Sequence, residues 1–139
     1  MRKANPLHIA NLLSTLALIG SVLSVAGEIE NGIKSGASHY RPELWPRHFQ
    51  LMGKIYLDQG EYARAYGYLN RALQDNAPYN ARVRAWALVR LGMIHDARQE
   101  RAKAEEYYQK ALEVAGGEGA ALVTAKQYLK TPYSPANRK

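Results

Sequence analysis

Phe49-Gln-Leu-Met52-Gly53-Lys-Ile-Tyr56, followed by Ala65, Leu69 and Ala72, is answered later in the chain by Leu88-Val-Arg-Leu91-Gly92-Met-Ile-His95, followed by Ala104, Tyr108 and Ala111. A constant offset of 39 residues separates Gly53 from Gly92, Ala65 from Ala104 and Ala72 from Ala111. Both glycines fall within helical periodicity, where glycine costs about 1 kcal/mol against alanine. A glycine at that cost removes a side chain where a second helix crosses closely. Ala65 and Ala72, then Ala104 and Ala111, are the small residues of that second helix. Tyr62, Tyr66 and Leu69, and again Tyr107, Tyr108 and Leu112, recur at three- and four-residue spacing and are expected to fill the crossing. Each pass reads as a helical hairpin.

This pattern resembles the tetratricopeptide repeat, in which a large apolar residue precedes a Leu-Gly pair, an aromatic follows, and Ala-x3-aromatic comes on the next helix. It departs from the family in its 39-residue period, against about 34. Leu69 stands where an aromatic is expected, and His95 replaces a tyrosine. The spacings within each pass are preserved, so the roughly five extra residues lie between Ala72 and Leu88, around Asn76-Ala-Pro-Tyr-Asn80. That predicts a longer connection or an extra turn on the third helix.

The fold class expected is all-α, with five helices in antiparallel succession over residues 42–130. The first begins within Pro42 to Pro46, prolines suited to a first turn, and runs to Asp58 before Gln59-Gly60. The second covers Glu61 to Gln74. Asn80 is the expected N-cap of a third helix reaching about Arg98, and Glu100 to Val114 form its partner. After the Gly116-Gly117-Glu118-Gly119 break, Ala121, Ala125, Tyr128 and Leu129 mark a fifth helix with Lys126 and Lys130 outward. A stack of hairpins leaves its last apolar face open, and this helix would cap it. Thr131-Pro-Tyr-Ser-Pro135 cannot continue a helix, and residues 131–139 read as a flexible tail.

Arg2 and Lys3 precede an uncharged stretch from Ala4 to Gly27. Its length approaches the roughly 20 residues that span a bilayer, while Ser24-Val-Ala26 and Val25-Ala-Gly27 are possible signal-peptidase sites. Order within the stretch favours a retained transmembrane helix. Ala10, Ser14, Ala17, Ser21 and Ser24 share one helical face, and Leu12, Leu16, Ile19 and Leu23 another. In lipid a one-sided stripe of small residues lets a second helix approach, a need that a signal peptide lacks. Positive charge before the span, with Glu28 and Glu30 after it, favours a C-terminal domain on the extracytoplasmic side. Residues 28–41, with turn signals at Asn31-Gly32 and Ser35-Gly36, form a linker. The alternative is a secreted or periplasmic protein released by signal-peptide cleavage.

Nineteen Lys and Arg against twelve Asp and Glu give a net charge of +7, but the basic residues are scattered among glutamates and form no run, so nucleic-acid binding is not expected. The absence of cysteine excludes disulfides, a thiol nucleophile and cysteine-ligated metal. His8, His39, His48 and His95 show no ligand spacing, and His95 replaces a core aromatic, so no metal, cofactor, small-molecule substrate or enzymatic activity is expected. The glycine run at 116–119 lacks the strand and Lys-Ser/Thr of a phosphate loop and reads as a helix break.

The resemblance implies a protein–protein interaction module in which the first helix of each hairpin lines a concave groove. About 150° round the third helix from the repeat positions, at about 100° per residue, lie Arg82, Trp86, Val89 and Met93, with Arg90 at the margin. Their counterparts on the first helix include Arg47, Gln50 and Lys54. Such a surface suits a protein segment with an aromatic or aliphatic anchor and acidic neighbours. It differs from the Lys/Asn carboxylate clamp of chaperone-binding relatives. The competing reading is that Trp86 and Met93 are covered by the chain itself, for instance by Tyr40 to Trp45.

Overall fold

Among the described residues of the computed structural model, five α-helices follow one another: α1, Trp45–Asp58; α2, Tyr62–Ala72; α3, Ala81–Ala97; α4, Arg101–Leu112; and α5, Ala120–Lys130. A 3-10 turn, Pro135–Asn137, follows. The structure describes residues 44–74, 77, 80–114 and 119–137, all within one compact unit, Arg41–Lys139. No strand occurs among them. The hydrophobic segment with its stripe Ala10, Ser14, Ala17, Ser21 and Ser24, and the linker after it, lie outside the described residues.

Packing is heaviest between α1 and α2 and between α3 and α4, so the two hairpins are the building units. Each closes on its glycine. A Cβ on Gly53 would stand 2.5 Å from Leu69 Cδ2, and one on Gly92 would stand 2.7 Å from Tyr108 Cδ1. Leu69 and Tyr108 are 0 % exposed, as are the alanines Ala65, Ala72, Ala104 and Ala111 on the same helices. Tyr107 of α4 stacks on His95 of α3 and packs on the core cluster of the second hairpin. It also meets the half-buried Tyr66 of the first hairpin, their hydroxyls 3.5 Å apart.

The extra length between the hairpins is partly helical. α3 starts seven residues before Leu88, whereas α1 starts four before Phe49, which adds most of a turn. Asn80 stands at the N-cap position of α3, but its side chain makes no capping bond. Its backbone (φ −95, ψ 9) is not in the extended region from which an N-cap side chain reaches the first turn.

α3 packs against α1, α2, α4 and α5, and twelve of its seventeen residues are buried. α5 closes the second hairpin by burying Ala121 and Ala125 against the cluster of Ala85, Leu88, Val89, Ala104, Tyr108 and Ala111. Lys126 and Lys130 face solvent.

Candidate functional site

Because α1 and α3 are the first helices of successive hairpins, they lie side by side and leave a cleft between their outer turns. Arg47 and Gln50 from α1 line it with Arg82, Val83 and Trp86 from α3, and with Asn80 just before α3. Arg47 and Arg82 are exposed, and Trp86 is half-buried with its inner edge against the core. Four residues singled out from sequence are thus brought together: Arg47, Gln50, Arg82 and Trp86. Asn80 and Val83 join them unforeseen, because the added turn of α3 extends its N-terminal end along the cleft.

The other expected residues do not line this cleft. Lys54 donates to Asp58 at 2.7 Å on the surface, a pair worth about 0–1 kcal/mol. Val89 is 0 % exposed and belongs to the core, and Met93 packs against the same cluster. Projection on a helical wheel assigned them an open face, but α3 has neighbours on nearly every side.

Arg90 is not marginal either. It is 9 % exposed, its guanidinium lies 4.9 Å from the centroid of the Trp86 ring, and its Nη1 makes no hydrogen bond. Burial pushes its pKa down to about 10, with attraction from Asp58 acting the other way. The ring's negative face offsets part of the lost hydration of the cation.

A second polar cluster escaped the sequence reading. Asp96, buried at the end of α3, accepts hydrogen bonds from Tyr108 Oη (2.8 Å), the Tyr133 backbone N–H (2.9 Å) and Arg101 Nη1 (3.2 Å). Arg101 Nη2 in turn donates to the Leu129 carbonyl at 2.8 Å. One carboxylate therefore ties α3, α4 and the segment after α5 together. A signal was present: 39 residues earlier the position is Leu57, also buried, and a charge at a core position needs partners. His95 beside it is a packed core residue. It stacks on Tyr107 (5.2 Å, 10°), meets Tyr66 edge-on, and pairs through Nδ1 with Glu100 at 2.5 Å.

The family model of the tetratricopeptide repeat matches residues 47–116. The chain belongs to that family. The match begins at Arg47 in the cleft and takes in both hairpins, so α1/α2 and α3/α4 are its two tetratricopeptide repeats. Tetratricopeptide repeats generally present a surface to protein partners and not a catalytic centre. No curated protein and no solved structure matches the chain. Among the described residues no three His, Asp or Glu are grouped to hold a metal ion, and no helix is long and apolar enough to cross a membrane.

Proposed function

We propose that this tetratricopeptide protein is a membrane-anchored accessory or assembly subunit of an envelope complex, with its helical domain on the extracytoplasmic side and a partner protein docked on the α1/α3 cleft. The observation that carries the docking role is the cleft itself, where a half-buried tryptophan lies between exposed arginines from two adjacent first helices. Such aromatic and arginine side chains contribute disproportionately to protein interfaces. Anchoring rests on the sequence of Ala4 to Gly27, whose small residues Ala10, Ser14, Ala17, Ser21 and Ser24 share one helical face. The second reading, a periplasmic or secreted scaffold, is favoured by the small-residue sites at Ser24-Val-Ala26 and Val25-Ala-Gly27.

Two measurements test the proposal. The intact mass of protein isolated from native membranes separates the readings, since a mature chain beginning at Gly27 or Glu28 refutes the anchor. Ser14→Leu with Ser21→Leu then widens the small-residue stripe without lowering its hydrophobicity. Membrane insertion should persist while recovery of the partner complex falls, because the helices no longer approach closely. Unchanged recovery would remove the docking face.

A further inference from the structure

At the 39-residue offset, one face of each hairpin is built from corresponding residues. On the second hairpin Tyr107 stacks on His95 at 5.2 Å and 10°, and Lys110 Nζ lies 5.4 Å from the centroid of the Tyr107 ring. Glu106, one turn before Lys110, accepts from it at 2.5 Å. α2 covers this face: Tyr66 meets His95 edge-on and, seven residues later, Leu73 packs beside Leu88. The first hairpin repeats the arrangement, with Tyr68 stacked on Tyr56 at 5.6 Å and 11° and the Arg71 guanidinium 4.2 Å from the centroid of the Phe49 ring. Among the described residues, no helix precedes α1 to stand on this face as α2 stands on the other.

One carboxylate is missing from the first hairpin. The counterpart of Glu106 is Gly67, so Arg71 has no acid one turn before it, and among the described residues it makes no ion pair. Gly67 is exposed inside α2, where glycine weakens a helix, and a Cβ on it would meet nothing within 4 Å. Gly53 and Gly92 make room for a side chain of their own hairpin, but no described residue occupies the space that Gly67 leaves. At about 100° per residue, Gly67 stands about 40° round α2 from Arg71 and about 60° from Arg64.

We infer that this face of the first hairpin receives an acidic helix of a partner protein, which stands there as α2 stands on the second hairpin and gives Arg71 the carboxylate that Glu106 gives Lys110. The helix carries an aromatic and an aliphatic residue seven positions apart, the spacing of Tyr66 and Leu73, with Asp or Glu beside them. Gly67 lets its backbone come close. A second copy of this chain does not suit the face, because α5, at the other end of the array, exposes Lys126 and Lys130, like in charge to Arg64 and Arg71. The surface is separate from the α1/α3 cleft, which none of Arg64, Gly67, Tyr68 and Arg71 lines.

The probe is a library of helices displayed on the outer face of a rigid coiled coil and selected against the full-length protein. Enriched helices should combine the aromatic and aliphatic pair seven positions apart with acidic residues. Arg71→Glu should weaken their binding by about tenfold or more, while Arg82→Glu in the cleft should leave it unchanged. Gly67→Glu is the sharpest variant, since it gives Arg71 a partner within α2 and removes a glycine that weakens the helix. The melting temperature should rise while binding falls by about tenfold, a combination that misfolding cannot produce. Enrichment of neutral or basic helices would overturn the inference. Acidic helices whose binding responds to Arg82→Glu and not to Arg71→Glu would also overturn it and leave the cleft as the docking surface. So would no enrichment at all, a dimer of the full chain that Arg71→Glu dissociates, or binding to anionic phospholipid vesicles that the same change abolishes.

Discussion

Gly92 lies so close under Tyr108 that a Cβ there would stand 2.7 Å from the ring's Cδ1. The ring cannot swing aside freely, because Tyr108 Oη donates to the buried Asp96 at 2.8 Å. At the equivalent crossing Gly53 faces Leu69, an aliphatic side chain with rotamers of its own. Alanine at either site gains about 1 kcal/mol of helix propensity and loses about 1–3 kcal/mol to overpacking. Gly92→Ala should therefore be clearly destabilising and Gly53→Ala nearer to neutral. Urea denaturation of the two variants decides this, and equal or negligible losses would mean that the fixed ring does not set the cost.

The two hairpins turn in the same way with different residues. Gly60 has φ 75 and is followed by a bond from Glu61 N–H to the Tyr56 carbonyl at 2.9 Å. Its counterpart 39 residues on is Gln99, with φ 63, followed by a bond from Glu100 N–H to the His95 carbonyl at 2.8 Å. A side chain in this left-handed conformation costs about 1 kcal/mol that glycine does not pay. Gln99→Gly should raise stability by about 1 kcal/mol and the melting temperature by roughly 4–8 °C. A lower melting temperature would show that the exposed Gln99 side chain contributes more than its backbone costs.

These two cases show what was legible in the sequence. The 39-residue offset located both glycines, the alanines facing them and the hairpin boundaries, because close helix crossings demand small residues at fixed spacing. It could not reveal which side of α3 is open. That depends on α1, α2 and α5, which pack on α3 from outside its own hairpin, and so Val89 and Arg90 read as surface while both are buried. Arg47, Gln50, Arg82 and Trp86 fall on one cleft because they lie on the outer turns of α1 and α3. The Asp96 cluster was hidden for a related reason. Its donors, Arg101, Tyr108 and Tyr133, have no counterpart in the first hairpin from which to be inferred.

Two tyrosines are held in the neutral form by the fold. Burial, then hydrogen bonding to Tyr66, pushes Tyr107 from 10.0 up to about 12, and burial with the hydrogen bond to Asp96 raises Tyr108 well above its ordinary range. A group whose folded pKa is raised stabilises the fold fully below its unfolded value and loses that contribution as pH climbs through the folded value. Stability should therefore hold up to about pH 10 and decline above it, with phenolate absorbance of these two residues appearing with unfolding. Tyr108→Phe should be less stable at neutral pH by about 1 kcal/mol yet show a shallower alkaline decline. Ionisation of all tyrosines near pH 10 with the fold intact would contradict this.

Asp96 draws its partners from three places, so its replacement should loosen all three. Asp96→Ala leaves the buried hydroxyl of Tyr108 and the N–H of Tyr133 without this acceptor and removes one of the acceptors of the half-buried Arg101, which keeps Leu129 and Glu105. The loss should be on the order of 3 kcal/mol. Ending the chain after Lys130 removes only one of these donors, together with the Tyr133 ring that meets Tyr128 edge-on at 5.6 Å. That should cost less, about 1–2 kcal/mol, since Tyr108 and Arg101 still satisfy the carboxylate. Hydrogen exchange adds an independent reading: in the native protein the Tyr133 amide, buried and bonded to Asp96, should exchange slowly. Asp96→Ala should bring it to the rate of an open chain while the amides of α1 and α2 change only through global stability. A Tyr133 amide that exchanges freely in the unaltered protein would show that Asp96 does not hold the segment after α5.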